Sequence, residues 1–419
     1  MKGNSPTKPS GIPWLGDIPT DWEVKRLKYV AKLRSGEAIT IDAIEAEGAY
    51  PVFGGNGLRG YTERYTNEGT YVLIGRQGAL CGNVNYAHGK FWASEHAVVC
   101  HPVAETEPIW LGELLRSMDL GQYSQSAAQP GLAVERIESL LIPVPPLPTQ
   151  RAIAAFLVER TARIDGLVAR KQRLVQLLKE KRQALITRAV TRGLDAKVKL
   201  KESGVPWLGM VPEHWGVKKL KHLIGPMEQG WSPQCDNYPA EEGEWGVLKA
   251  GCVNGTSLNE LENKRLPVNE EPILELEIKP GDILMSRANT TELLGSCGYV
   301  EKVRPRLILC DKLYRFHAIL GVSDGRYLVH FLRSRAGRSY MEQNTSGASD
   351  SMQNIGQDIV RNIDTPFPPI TEQRTIVAHI ERETTHLDTL ITNVEVAVLR
   401  LQEYRTALIS AAVTGKVGV

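Results

Sequence analysis

The chain contains much of itself twice. SGIPWLGDIPTDWEVKRLK, starting at Ser10, matches SGVPWLGMVPEHWGVKKLK, starting at Ser203, at 12 of 19 positions. Trp14 pairs with Trp207, Gly16 with Gly209, Pro19 with Pro212 and Trp22 with Trp215. A second repeat follows: PVPPLPTQRAIAAFL from Pro143 matches PFPPITEQRTIVAHI from Pro366, and KRQALITRAVT matches YRTALISAAVT further on. The first repeat is offset by 193 residues and the second by 223, so the second intervening globule is 30 residues longer. Each copy therefore runs head, variable globule, proline hinge and long helix. Two copies of this size imply duplication and a pseudo-two-fold, not a stacked solenoid.

The helices follow the prolines Pro146 and Pro369, which end the extended segments. In the second, steps of four and three give Ile376, Ile380, Glu383, Leu387, Leu390, Val394, Ala397, Leu401, Tyr404 and Leu408, nine of ten apolar or aromatic. The first gives Ile153, Leu157, Arg160, Ile164, Leu167, Lys171, Leu174, Leu178, Lys181 and Leu185, seven of ten. Heptads sustained this long predict a coiled coil. Each helix can reach roughly 60 Å at about 1.5 Å per residue, and the connecting globule makes antiparallel pairing economical. A centre at Ala169 and Thr392 would set Ile153 against Leu408 and Leu185 against Ile376. This predicts globules at opposite ends of a rod, with the C-terminus returning to the first. The expected division is residues 1–147, a globular domain; 148–193, the first helix; 194–370, a second globular domain; and 371–419, the second helix.

Helix one carries eleven basic and three acidic residues, helix two five and six. That basic run fits either a solvated face or a surface for an acidic partner or the DNA backbone. Over the whole chain, 50 Lys+Arg against 48 Asp+Glu argue against a stand-alone nonspecific nucleic-acid binder, though not against one that binds DNA with partners. Cys81, Cys100, Cys235, Cys252, Cys297 and Cys310 are widely spaced without a CxxC pair, which predicts reduced thiols and neither a zinc site nor a disulfide framework. The N-terminal MKGNSPTKPSG has no apolar core and no membrane span is apparent, so a cytoplasmic location is expected.

Within the globules, YVLIGRQGALCGNVNY and KFWASEHAVV predict a β-meander in the first, and WGVLKAGCVNG, KPGDILMSRANTTELLGSCGYV and LYRFHAIL predict strands in the second. The fold class is therefore α+β: two globules and two long helices. Catalytic signatures are mostly missing. Gly55–Gly60 reads GNGLRG but opens into TyrThrGlu rather than a helix, and no GxxxxGK[ST] loop occurs. His379 and His386 are seven apart and form no HExxH, while Glu277 and Lys279 have no convincing preceding Asp for a nuclease. No [DNS]PP[YFW] motif is present to grip a flipped base.

Paired WLGxxPxxW heads, paired PxPPxxxQRxI hinges with long helices, and two dissimilar globules closely resemble the specificity subunit of type I restriction-modification systems, from Ser10 to Gly415. The resemblance implies a non-catalytic reader in which each globule is a target recognition domain for one half of a split, asymmetric sequence and the helices set the gap. It also implies double-stranded DNA, two methyltransferase subunits and motor-nuclease subunits as partners. No cofactor is expected in this chain; S-adenosylmethionine, ATP and Mg are expected on the partner subunits. Hinge one departs from the pattern at Thr149, where hinge two has Glu372. The competing readings are a protein-only scaffold and an undetected nuclease or methyltransferase.

Base edges are read by Arg, Lys, Asn and Gln, and phosphates by scattered basic and hydroxyl groups. The candidates for DNA contact are Asn56, Arg59, Arg76, Gln77, Lys90, Ser94 and His96 in the first globule. In the second they are Lys249, Asn254, Arg287, Asn289, Thr290, Lys312 and Arg315. Serine-rich loops at Ser126 and at Ser346 to Ser351 are further candidates for phosphate. Arg76–Gln77 and Arg287–Thr290 rank first because each follows an apolar strand beside glycine.

Overall fold

The computed structural model describes residues 6–78, 80–124, 131–255, 257–349 and 352–419. They form two compact units: residues 1–173 with 395–419, and residues 174–394. Among the described residues no helix is long and apolar enough to cross a membrane. The two long helices are continuous, Leu147–Arg192 and Ile370–Val413.

Each unit is framed by the repeated segments in the same way. In the first, a head ribbon pairs Thr7–Pro9 with Asp17–Pro19, and Glu23–Arg26 pairs with Leu141–Val144 where the chain leaves the globule. The second unit repeats both ribbons, with Leu200–Glu202 on Met210–Pro212 and Gly216–Lys219 on Asp364–Phe367. Gly16 and Gly209 stand at φ +72° and +69°, a backbone conformation that explains the repeated glycine. Trp22 and Trp215 are buried in their respective cores.

The hinge motif owes its glutamine to hydrogen bonding. Gln150 is buried; its Nε2 donates to the Pro145 carbonyl at 2.9 Å, and its Oε1 accepts the Glu107 N–H at 3.0 Å. Gln373 does the same with the Pro368 carbonyl, 2.9 Å, and the Asp324 N–H, 2.8 Å. Glu107 and Asp324 are the N-caps of helices Pro108–Ser117 and Gly325–Arg333. Each glutamine thus satisfies one of the otherwise orphaned amides at a globule helix and fixes the long helix beside it.

Within each unit the long helices pair antiparallel. In the first, Ile153 and Leu157 share a core with Ile409, Ala412 and Val413, and Asp165 pairs with Arg405 at 2.9 Å. In the second, Ile186, Ala189 and Val190 share one with Ile376, Val377 and Ile380, and Arg182 pairs with Asp388 at 2.9 Å. The register differs from the sequence expectation. A centre at Ala169 and Thr392 puts residue 396 opposite Asp165 and residue 379 opposite Arg182, whereas the observed partners, Arg405 and Asp388, each lie nine residues further on. The buried stripe also slips: Val175, Ile391, Val398 and Ile409 are buried one position after the anticipated Leu174, Leu390, Ala397 and Leu408. A 3.6-residue helix drifts against a 3.5-residue repeat, and burial follows the helix.

The first globule is a six-stranded sheet ordered Ala31–Ser35, Ala97–Pro102, Asn67–Gly75, Val84–Ala93, Tyr50–Gly54 and Gly57–Thr62. The expected meander is interrupted by one parallel pairing, Val52 and Phe53 with Trp92 and Ala93. One face packs with Trp110, Leu111, Leu114 and Leu115 in the main core, and the other holds a smaller cluster around Leu73, Phe91 and Val99. The second globule divides its strands. Four of them, Glu228–Gln229, Leu313–Phe316, Ile283–Ser286 and Cys297–Tyr299, form one sheet, and Asn263–Arg265, Gly246–Leu248 and Leu307–Ile308 form another.

Candidate nucleic-acid interface

In the first unit four chain segments meet at an open cleft of about 700 Å³, lined among others by Asn56, Arg59, Gln77, His96 and Gly131. GNGLRG is a hairpin: Gly54 pairs with Gly57, and the chain turns back into Gly57–Thr62. The glycines make the convergence possible. A Cβ on Gly75 would stand 2.2 Å from the Gly55 carbonyl oxygen, and one on Gly54 would meet the Arg59 side chain at 2.5 Å. Asn56 Oδ1 accepts from Asn83 Nδ2 at 3.0 Å, and Arg76 Nη1 donates to Ser35 Oγ at 3.0 Å. Gln77 is exposed, and its backbone bridges to Gly131.

A second cleft, about 490 Å³, lies in the other unit and gathers Lys249, Lys264 and Lys312 with Ser232 and Asp311. Lys249 is held by Glu262 at 2.7 Å. Arg287 Nη1 donates to the Asp311 carbonyl at 3.2 Å, and the guanidinium lies over the Tyr314 ring, 5.9 Å from its centroid. Beyond it Asn289 Nδ2 donates to Asn254 Oδ1 at 3.2 Å, while Asn289 Oδ1 accepts the Thr290 N–H at 2.9 Å. These bonds fix the side-chain amides of two candidate residues before any ligand arrives.

Arg76 and Arg287 hold equivalent positions in the two globules. The Arg76 N–H donates to the His96 carbonyl, and its own carbonyl accepts from Leu132 N–H; Arg287 donates to Lys312 and accepts from Ile355 in the same pattern. The preceding residues agree: Gly75 and Ser286 each exchange backbone bonds with a returning loop, through Gly82 and Gly295. In both globules, then, an arginine ends an apolar strand beside the carbonyl of a second candidate residue, His96 or Lys312.

Other candidates lie elsewhere. Lys90 sits over the Tyr65 ring, 4.7 Å from its centroid, and Glu68 and Tyr65 raise its pKa. Ser94 is fully buried. Arg315 is buried too, its guanidinium shared among Glu228, the carbonyls of Glu275 and Glu277, and Asp282 at 3.9 Å. Ser126 and Ser351 lie outside the described residues, and of Ser346–Ser349 the backbone forms a strand. Sequence reasoning missed Lys264 and Ser232, which line the second cleft. The only available signal was the Asn-Lys-Arg stretch at Asn263–Arg265, whose strand pairs with Gly246–Leu248. Burial pushes the Cys297 and Cys310 thiols up to about 11. Among the described residues no cluster of His, Cys, Asp or Glu could hold a metal ion.

Residues 19–175 match the family model described as type I restriction modification DNA specificity domain. The EcoprrI type I restriction enzyme specificity subunit of Escherichia coli is 44% identical over 137 residues, 32% of this chain and 34% of that protein. The MjaVIII specificity subunit of Methanocaldococcus jannaschii is 21% identical, with 96% of this chain and 94% of that one aligned. The alignments to the EcoprrI and EcoEI subunits span about a third of those relatives, 34% and 29%. Among solved structures, a chain from a study of complex assembly and conformational transition of the type I R-M system superposes with a TM-score of 0.70 at 16% identity, covering 96% of this chain and 99% of that one. The HsdS subunit from Thermoanaerobacter tengcongensis gives 0.52 at 16% identity, covering 96% and 98%.

Proposed function

We propose, since the chain belongs to the family of type I restriction-modification DNA specificity subunits, that it reads a bipartite, asymmetric DNA target without catalysing a reaction itself. Each globule reads one half-site, and the long helices set the gap between them. The observation that carries this reading is the equivalence of Arg76 and Arg287, each ending a strand among polar residues with glycine or serine beside it. An arginine so placed can give the bidentate contact to guanine that specifies a base, while Gln77, Asn289 and the lysines of the second cleft supply further base and phosphate contacts.

The division into residues 1–147, 148–193, 194–370 and 371–419 assigns recognition to the first and third segments and spacing to the other two. Two methyltransferase subunits dock on the chain and carry S-adenosylmethionine, motor-nuclease subunits carry ATP and Mg, and the assembly works in the cytoplasm. Ser94 and Arg315 are structural in this reading, because neither side chain is open to DNA. The test is a gel shift of the chain with and without a methyltransferase partner, followed by methylome sequencing of a host expressing both. One split motif per specificity chain is expected. Methylation or cleavage by the purified chain alone, or no sequence-dependent binding by the complex, would overturn the proposal.

A further inference from the structure

The end of the first long helix carries a cationic groove that DNA reading leaves unused. Its lining includes Arg188 and Arg192 from that helix, Trp207 from the second head and Arg335 from the helix Arg335–Gln343, three arginines against one acidic lining residue, Glu180. The concavity is about 860 Å³, and none of the candidate DNA-contact residues lines it. The Trp207 indole is its aromatic wall, held from behind by Tyr340 and Phe331 with ring centroids 5.2 and 6.5 Å away.

Three arginines converge here without a protein partner. Arg188, Arg192 and Arg335 are exposed, and among the described residues their side chains make no hydrogen bond or ion pair. Several other arginines of this unit are engaged, among them Arg182 with Asp388, Arg265 with Asp236 and Glu244, and Arg326 with Glu301 and Glu381. Three unneutralised guanidiniums around one aromatic wall form an anion-selective surface with a fixed apolar contact. The repeat makes the feature specific. Aligning KRQALITRAVT with YRTALISAAVT puts Ala411 where Arg188 stands, and Gly415 where Arg192 stands. The first unit's counterpart of Trp207, Trp14, therefore has no such arginines from the end of its helix.

We propose that this groove docks a short acidic segment of a partner protein, with carboxylates on Arg188, Arg192 and Arg335 and an apolar side chain against Trp207. Guanidinium and carboxylate match as planar forks, and clustered arginines are a recurring means of recognising acidic motifs. A peptide fits better than duplex DNA: the space admits a few side chains, and a phosphate backbone has no use for the indole. Because only the second unit has the arginines, one segment binds per specificity chain. That distinguishes this occupant from a pair of equivalent subunits related by the repeat.

The experiment titrates the full-length chain into a fluorescein-labelled peptide of four glutamates followed by phenylalanine and reads fluorescence anisotropy. Saturable 1:1 binding is expected. The charge reversals Arg188→Glu and Arg192→Glu together should weaken it at least tenfold, and Trp207→Ala should weaken it separately. Arg163→Glu with Arg170→Glu, on the same helix in the other unit, should leave it within twofold, and thermal melts check that every variant is folded. Binding lost equally in the control pair would mean nonspecific attraction and sink the proposal. So would an absence of saturable binding, or tighter binding of oligothymidylate through the same arginines. The last result would assign the groove to nucleic acid. None of these outcomes depends on whether the complex reads DNA, which the gel shift tests separately.

Discussion

The indole Nε1–H of Trp215 donates to Glu372 Oε1 at 3.1 Å, while the other carboxylate oxygen stands 2.9 Å from His214 Nε2. One acidic residue in the first turn of the second long helix thus anchors the head of its unit. In the first unit Thr149 occupies the matching hinge position.

Removing this anchor leaves the indole donor buried and unpaired. Glu372→Ala should destabilise the second unit by about 1–3 kcal/mol, with Glu372→Gln costing less because it keeps an acceptor. Thr149→Ala should cost little. Urea unfolding of the three variants gives the comparison; equal losses for Ala and Gln would show that the carbonyl-type acceptor is not what matters.

Arg315→Ala should act on folding rather than on reading. It would unpair Glu228 and leave the Glu275 and Glu277 carbonyls without their guanidinium donor, while Asp282 keeps His317 and the Lys279 N–H, and losing hydrogen bonds to a buried charged group costs about 1.5–3 kcal/mol. The melting temperature should fall sharply, while any complex that still forms methylates the original sequence. A changed target with unchanged stability would return Arg315 to the reading surface.

Arg287→Ala should do the reverse. A bidentate contact to guanine is worth about 1–3 kcal/mol, so one base position in one half-site should relax. Methylome sequencing reads the result, and uniform weakening at all sites would identify a phosphate contact instead.

Exchanging residues 203–370 for the matching segment of a related subunit should replace one half of the methylated motif and preserve the other. A change in both halves would refute independent reading by the two globules.

His330 gives the second unit an acid limit. Burial first, then Arg333 and Arg182, lowers its pKa from 6.5 to about 4. Between those values the unfolded chain takes up a proton that the folded unit refuses. Stability is therefore retained above about pH 6.5 and lost as pH falls toward 4, by up to about 3 kcal/mol. His330→Gln should flatten that slope in chemical denaturation measured from pH 7 to pH 4.5.

The repeated frame was legible because its chemistry is local. Paired tryptophans, prolines and glutamines mark the heads and hinges, and Trp22, Trp215, Gln150 and Gln373 are buried in their own units, whereas Trp14 is exposed and Trp207 half-buried. The helix register was not legible. An apolar stripe defines a face, but the partners of Asp165 and Arg182 depend on how each helix seats against its globule. Polar residues on turns were the hardest to judge: Arg287 and Arg315 look alike in sequence, yet one ends its strand beside a cleft and the other lies in the middle of a sheet, enclosed by carboxylates. Lys264 escaped notice because its place in the cleft comes from pairing between strands remote in the chain.

The first unit is assembled from both ends of the sequence, whereas the second is one uninterrupted stretch. During synthesis, residues 174–394 are complete before the ribosome has made Ile409, Ala412 and Val413, which belong to the first unit's core. Order of emergence and order of completion are thus inverted: the globule made first must wait, partly uncovered, for the last turns of the second long helix to reach Pro19 and Trp22, where Gly415 packs. A nascent chain arrested before residue 395 should protect its second unit from protease and leave the first unit open to cleavage.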